Sequence, residues 1–195
     1  MGKLKAWLFN RKASSRKNKP DEVSKALGLQ PGQNIADIGV GGGHFSLRFS
    51  EAVGDGGVVY AIDTDQGFLE LLLMNAEGKG FKNIKTVPAP QIKSLVPDKS
   101  LDLIFLRNVF HHIENRAQYF ERLSSKLKAE GKIAIIEYKS TGRFNFHKLF
   151  RHYVPQEEII EEMDETGYTV HKSYDFLPEQ SFTIFSLKKM DSNKR

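Results

Sequence analysis

Cysteine is absent from all 195 residues, which excludes disulfides, thiolate-bound zinc, iron–sulfur clusters and a cysteine nucleophile. Long apolar runs are missing too, and no stretch approaches the ~20 residues that a membrane-spanning helix needs. The opening Met1 to Phe9 is basic and then briefly apolar, too short for the core of a signal peptide, and Ala6 departs from the myristoylation pattern. A cytoplasmic protein is expected. Acids are missing from the first 20 positions, where Lys3, Lys5, Arg11, Lys12, Arg16, Lys17 and Lys19 precede Asp21, and the chain carries a net charge of +5. Residues 1–19 therefore read as a basic arm able to meet RNA phosphates or an anionic surface. The remaining length suits one well-buried core: a domain over residues 20–189, followed by a short disordered tail over 190–195.

What is present is alternation. From Asn34 onward, short apolar runs trade places with amphipathic stretches, the pattern of βαβ units around a mostly parallel sheet. Strands are expected over 34–38, 58–62, 83–87, 101–106, 132–137, 168–174 and 181–187. Between them, helices are expected from Phe45 to Val53, over 68–74, and over 116–128, where Tyr119, Phe120, Leu123 and Leu127 recur at helical spacing and Gly131 serves as the stop. Pro155 opens a last helix, with Glu157 and Glu158 in its first turn and Gly167 closing it. The basic, aromatic stretch 140–153 reads as a loop or partial helix above the sheet, facing substrate.

The most informative segment is Asp37-Ile38-Gly39-Val40-Gly41-Gly42-Gly43-His44-Phe45, in which a strand ends in an acid and a glycine turn leads into a helix. Such a turn reverses tightly and lets a ligand approach backbone amides without meeting a Cβ atom. A second acid, Asp63, ends the next strand, where a carboxylate accepts hydrogen bonds from two ribose hydroxyls, with Thr64 beside it. Nicotinamide dinucleotides use a related turn, Gly-x-Gly-x-x-Gly. Here the spacing is Gly39-x-Gly41-x-Gly43 after Asp37. A carboxylate beside the turn repels a pyrophosphate but tolerates an ammonium and a sulfonium, so S-adenosylmethionine is the favoured ligand.

With these motifs the chain resembles the class I S-adenosylmethionine-dependent methyltransferases, in particular the type 11 group that includes ubiquinone and menaquinone biosynthesis enzymes. The resemblance runs from about Pro20 to Lys189 and is carried by Pro31-Gly32, Asp37 to Gly43, Val59 to Asp63, Ser100 to Ile104 and Asn108-Val109-Phe110-His111-His112-Ile113. It implies a Rossmann-like α/β fold with a seven-stranded, mostly parallel sheet, helices on both faces and an antiparallel last strand. It also implies that Asp37, Gly39, Gly41 and Gly43 surround the methionine part of the cofactor while Asp63 holds the ribose. The group carries an acid after the third strand for the adenine amino group. That region here reads Val87-Pro88-Ala89-Pro90-Gln91-Ile92, so Gln91 is expected to accept the hydrogen bond and Ile92 to pack on the ring.

Transfer of a sulfonium methyl to a nucleophile depends mainly on alignment. A hydroxyl or acidic carbon also needs a base, and His111 or His112, after the fourth strand, stands where open α/β sheets bind ligands. Asn108 is expected to contact the cofactor, and Glu137, Tyr138, His147 and Tyr153 to line the acceptor pocket. His111, His112, His147 and His152 lack an accompanying carboxylate at ligand spacing, so no metal is expected. Tyr168-x-x-x-Lys172 mimics the short-chain dehydrogenase pair but falls on an expected strand. The Asn-Pro-Pro-aromatic motif of nucleic-acid amino-methyltransferases is replaced by Asn108-Val109-Phe110-His111, and arsenite methylation needs the missing thiolates. A small organic acceptor is therefore expected. Two other readings stay open: a non-catalytic methyltransferase-fold module binding RNA or a partner through its basic residues, and a nicotinamide-dependent dehydrogenase, disfavoured by Asp37.

Overall fold

Apolar residues on both faces of nearly every strand require cover on both sides, and the fold supplies it. A computed structural model of the chain describes residues 15–139 and 153–189. Seven strands, β1 (Asn34–Ile38), β2 (Val58–Asp63), β3 (Ile84–Pro88), β4 (Leu101–Arg107), β5 (Leu127–Tyr138), β6 (Tyr168–Tyr174) and β7 (Gln180–Leu187), form one sheet in the order β3-β2-β1-β4-β5-β7-β6. β7 runs antiparallel to both β5 and β6, and the pairs from β3 through β5 are parallel. The chain order reverses between β1 and β4, which opens a crevice at the strands' carboxyl ends.

Helices α1 (Pro20–Leu27), α2 (His44–Val53) and α3 (Gln66–Gly78) cover one face, and α4 (Arg116–Ser124) and α5 (Gln156–Glu165) cover the other. The period of two along the strands divides the core accordingly: Ile35, Val59 and Phe105 pack with Phe49 and Leu72, while Ala36, Ile38 and Ile104 pack with Phe120 and Met163. Phe45, Phe49 and Phe105 lie with ring centroids 5.0 to 5.7 Å apart. Burying each such ring stabilises the fold by about 1.5–3 kcal/mol. This aromatic cluster anchors the start of α2 against β4, and with it the glycine turn. Asp65 caps α3 by accepting from Gly67 N at 2.9 Å.

The structure departs from the sequence reading around Gly131. The helix starting at Arg116 ends at Ser124 rather than at Lys128, and Leu127 already belongs to β5. Ser124 and Ser125 hydroxyls donate to the carbonyls of Glu121 and Arg122, competing for the last turn. The Leu123-to-Leu127 spacing mimicked one more helical turn, yet Leu127 is buried from a strand. Gly131 sits inside a β4–β5 register shift, where a Cβ would come within 2.8 Å of the Leu101 carbonyl oxygen. Residues 140–152, 1–14 and 190–195, including most of the expected substrate loop, most of the basic arm and the tail, lie outside the described residues. Among the described residues no helix is long and apolar enough to cross a membrane.

Candidate functional site

At the carboxyl ends of β1, β2 and β4 lies a cavity of about 720 Å³. Asp37, Gly39, Gly41, Asp63, Thr64, Asn108, His111, His112 and Tyr138 all line it, so most of the residues singled out from sequence meet in one place. His147 lies outside the described residues. Among the described residues no group of three or more His, Cys, Asp or Glu side chains is arranged to hold a metal ion.

The glycine turn is shaped by sterics. Gly39 and Gly43 have φ near +80°, a region open to glycine, and Gly41 is also left-handed. A Cβ on Gly39 would meet Val109 Cγ2 at 2.2 Å, so this glycine brings β1 against the segment after β4. Gly43, expected to touch ligand, is instead off the cavity wall. It begins α2, and a Cβ there would meet Leu72 Cδ1 at 2.6 Å, so it packs α2 against α3. Asp63 accepts from Gly41 N at 3.1 Å through one carboxylate oxygen and from Asp65 N at 2.9 Å through the other. The second acid thus positions the turn as well as facing the cavity.

Two ionisable groups meet at this end of the cavity. Asp37 is 3% exposed and accepts from Ser46 Oγ at 2.5 Å. Burial pushes its carboxyl up to about 7, against the pull of the Ser46 hydroxyl, with Asp63 raising it further and Arg107 opposing. Arg107, the last residue of β4, shares Asp37's face of the sheet, because Asp37 is in register with Phe105 and strand side chains alternate. Its guanidinium carbon lies 5.1 Å from the Phe45 ring centroid, and Nη2 donates to Gln180 Oε1 at 3.1 Å. Its Nε is buried with no hydrogen-bond partner. A zwitterionic amino-acid group fits this pair, with a guanidinium on the cavity wall for its carboxylate and the Asp37 carboxyl for its ammonium.

The other end of the cavity is built differently. His111 Nδ1 is 2.9 Å from Glu137 Oε2, the side chains being 5% and 0% exposed. Glu137 also accepts from Tyr138 N at 2.8 Å through Oε1 and from His111 N at 3.4 Å. Glu137, expected to line the acceptor pocket, is therefore off the wall, behind His111, which it orients. Its strand position makes the difference: on β5 it alternates with Tyr138, and only Tyr138 faces the cavity. His112 is exposed and lies with its ring centroid 4.0 Å from that of His111. Tyr153 is half-buried and off the wall. Tyr119 lines the same end, with burial pushing its hydroxyl up to about 12.

The expected adenine contacts also move. Gln91 is exposed and Ile92 packs into the core below the sheet, whereas Ala89 forms the wall there. A 3-10 turn over Ala89–Gln91 followed by a helical turn over Ile92–Leu95 carries both side chains away. Sequence reasoning missed Arg107, Ser46, Tyr119 and Gln180. For Arg107 a signal existed, a charge ending the apolar run 101–106 at the ligand-binding edge. Gln180 is buried and donates through Nε2 to Asn108 Oδ1 at 2.5 Å, a contact that only the antiparallel return of β7 creates.

The fold and family are shared with known proteins. A family model described as a methyltransferase domain matches residues 36–135, just over half of the chain. The chain is 21% identical over 133 residues to the demethylmenaquinone methyltransferase of Geobacillus kaustophilus, covering 68% of this chain and 57% of that protein. It is 24% identical over 153 residues to the ubiquinone/menaquinone biosynthesis C-methyltransferase of Shewanella sp. (strain W3-18-1), covering 78% and 60%. The chain thus spans less than two thirds of the length of these relatives. Among solved structures, a SAM-dependent methyltransferase from Aquifex aeolicus superposes with a TM-score of 0.77 at 25% identity, over 85% of this chain and 88% of that one.

Proposed function

The chain belongs to the methyltransferase domain family and has the class I S-adenosylmethionine-dependent methyltransferase fold, and from that premise we propose that it transfers a methyl group from S-adenosylmethionine to a small organic acceptor. The observation that carries the reading is the convergence of Asp37, the Gly39–Gly41 turn and Asp63 on one cavity at the switch point of the sheet. Asp63 is assigned to the ribose hydroxyls, Asp37 to the ammonium, Ala89 to the adenine end, and Thr64 and Asn108 to the walls between. Bound there, the cofactor supplies an electrophilic methyl on a sulfonium. A pyrophosphate is disfavoured by the buried carboxyl of Asp37, which argues against a nicotinamide cofactor. Residues 20–189 are assigned as one catalytic unit.

The acceptor end supports base-assisted transfer. With Nδ1 of His111 donating to Glu137, Nε2 is the nitrogen that can take a proton, and the carboxylate fixes the tautomer and the orientation of the ring. His111 is therefore the assigned base and Glu137 its positioning residue, while Tyr119 and Tyr138 present aromatic walls to the acceptor. The names of the relatives, demethylmenaquinone methyltransferase and ubiquinone/menaquinone biosynthesis C-methyltransferase, support an acceptor of small, ring-bearing type.

Thermal unfolding in the presence of S-adenosylmethionine, S-adenosylhomocysteine, NAD or NADP tests the cofactor class. A ligand at about 100 times its dissociation constant adds ~2.7 kcal/mol, a rise of roughly 5–11 °C for a chain of this length. The adenosyl-sulfur ligands are expected to raise the midpoint and the dinucleotides to leave it unchanged. A rise with NAD or NADP alone, or with none of the four, contradicts the assignment.

A further inference from the structure

Arg107 is the one arginine or lysine on the cavity wall, half-buried and without an ion-pair partner among the described residues. A guanidinium has five N–H donors in a rigid planar fork. Here Nη2 serves Gln180 Oε1, Nε is buried without an acceptor, and among the described residues no carboxylate forms an ion pair with the group. The fork is also held in orientation. Its face lies over the Phe45 ring, and the Gln180 amide that accepts from it is itself fixed by donation from Nε2 to Asn108 Oδ1. Gln180, which links Arg107 to Asn108, is 1% exposed.

A cation drawn partly out of water is ordinarily paired, because its lost hydration is otherwise uncompensated. An oriented, under-satisfied guanidinium facing a cavity therefore marks the place of an anionic ligand group. The identity of that anion follows from the neighbour. Asp37 lies on the same sheet face, beside the same turn, and each of the two residues stabilises the other's charge. A multiply charged phosphate meets repulsion from Asp37 and Asp63, whereas a carboxylate joined to an ammonium two bonds away complements both residues at once. Burial draws the guanidinium down to about 10, which leaves it protonated at neutral pH and ready for an anion.

We propose that Arg107 receives the carboxylate of the cofactor's amino-acid end, so that Arg107 and Asp37 form a clamp specific for the zwitterion and Gln180 is its positioning residue. The proposal rests on the reading of the cavity as an S-adenosylmethionine site. It makes the chain discriminate against adenosyl sulfonium compounds that lack the carboxylate, a property independent of any acceptor.

The test measures dissociation constants by calorimetry for S-adenosylmethionine, decarboxylated S-adenosylmethionine and 5′-methylthioadenosine, with the wild type and with Arg107→Gln and Arg107→Lys. The wild type is expected to prefer the carboxylated compound over the decarboxylated one by about 10- to 100-fold. Arg107→Gln is expected to bring that preference close to unity by weakening only the carboxylated ligand, and to leave 5′-methylthioadenosine within about threefold of its wild-type affinity. Arg107→Lys, which keeps the charge without the fork, is expected to fall between. Equal wild-type affinity for the carboxylated and decarboxylated compounds overturns the proposal even if neither variant folds. Uniform weakening of all three ligands by Arg107→Gln also overturns it, in favour of a purely structural arginine. If 5′-methylthioadenosine binds but the preference is absent, the clamp alone is wrong. If none of the three binds the wild type, the cofactor assignment fails and the clamp with it.

Discussion

The two ends of the cavity are built on opposite electrostatic terms. Around the glycine turn, a buried Asp37 and a half-buried Arg107 are incompletely satisfied, one carboxyl pushed up to about 7 and one buried guanidinium nitrogen without an acceptor. Around His111, the carboxylate is equally buried, yet it accepts from the His111 ring, the Tyr138 amide and the His111 amide. The first end carries a cost that a ligand relieves, and the second is complete in itself. Substitutions should therefore act with opposite signs: at the first end they relieve the free protein while harming binding, and at the second they damage fold or turnover while sparing cofactor affinity.

The sharpest separation is expected in turnover. On an acceptor found by screening phenols and carbon acids, His111→Ala should lower turnover by about 10²- to 10⁴-fold with little change in S-adenosylmethionine affinity. His112→Ala, at the exposed neighbour, should change it by less than about threefold. Equal losses at both positions, measured by transfer of labelled methyl groups, would remove the distinction drawn from Glu137.

Next in size is the pH dependence of stability. Because the Asp37 carboxyl is raised from its usual 3.8 to about 7, its protonated form favours the fold. That stability is fully present below the unfolded value and is lost as pH rises through about 7, a loss on the order of 4 kcal/mol. Asp37→Asn, which retains an acceptor for Ser46, should remove this component, becoming more stable than wild type at pH 8 and nearly equal at pH 4. Denaturant titrations at both pH values check it, and a wild type that stays as stable as the variant at pH 8 would break the comparison. Smaller still, Glu137→Ala should destabilise the protein by about 1–3 kcal/mol, since it strands buried donors. Unchanged stability would mean that the second end is less complete than its contacts imply.

The unequal legibility of these two ends has a physical origin. Asp37, the glycines and Asp63 are close in sequence, and strand–turn–helix chemistry is local, so the turn was readable from residue order alone. So were the strands of the parallel core, whose apolar runs require burial on both faces. Glu137 illustrates what a single chain conceals: whether a strand-end acid faces the cavity or hides behind another residue depends on register, and here it stands behind His111. Arg107 escapes the pattern because the apolar run ends at Leu106, one residue before the strand does. Gln180 comes to Asn108 across 72 positions of chain through an antiparallel return, and no local pattern announces such a contact. At Gly131 a local pattern pointed the wrong way, since helical spacing continued for a turn after the helix itself had ended.

The division of the cavity is tested most directly by titrating S-adenosylhomocysteine into the wild type, Asp63→Ala and Glu137→Gln at pH 7.5 in a calorimeter. Binding to the wild type, a loss on the order of 100-fold in Asp63→Ala, and affinity within threefold of wild type in Glu137→Gln are expected. Undiminished binding to Asp63→Ala, or an equal loss in Glu137→Gln, would contradict the placement of the cofactor at the glycine-turn end.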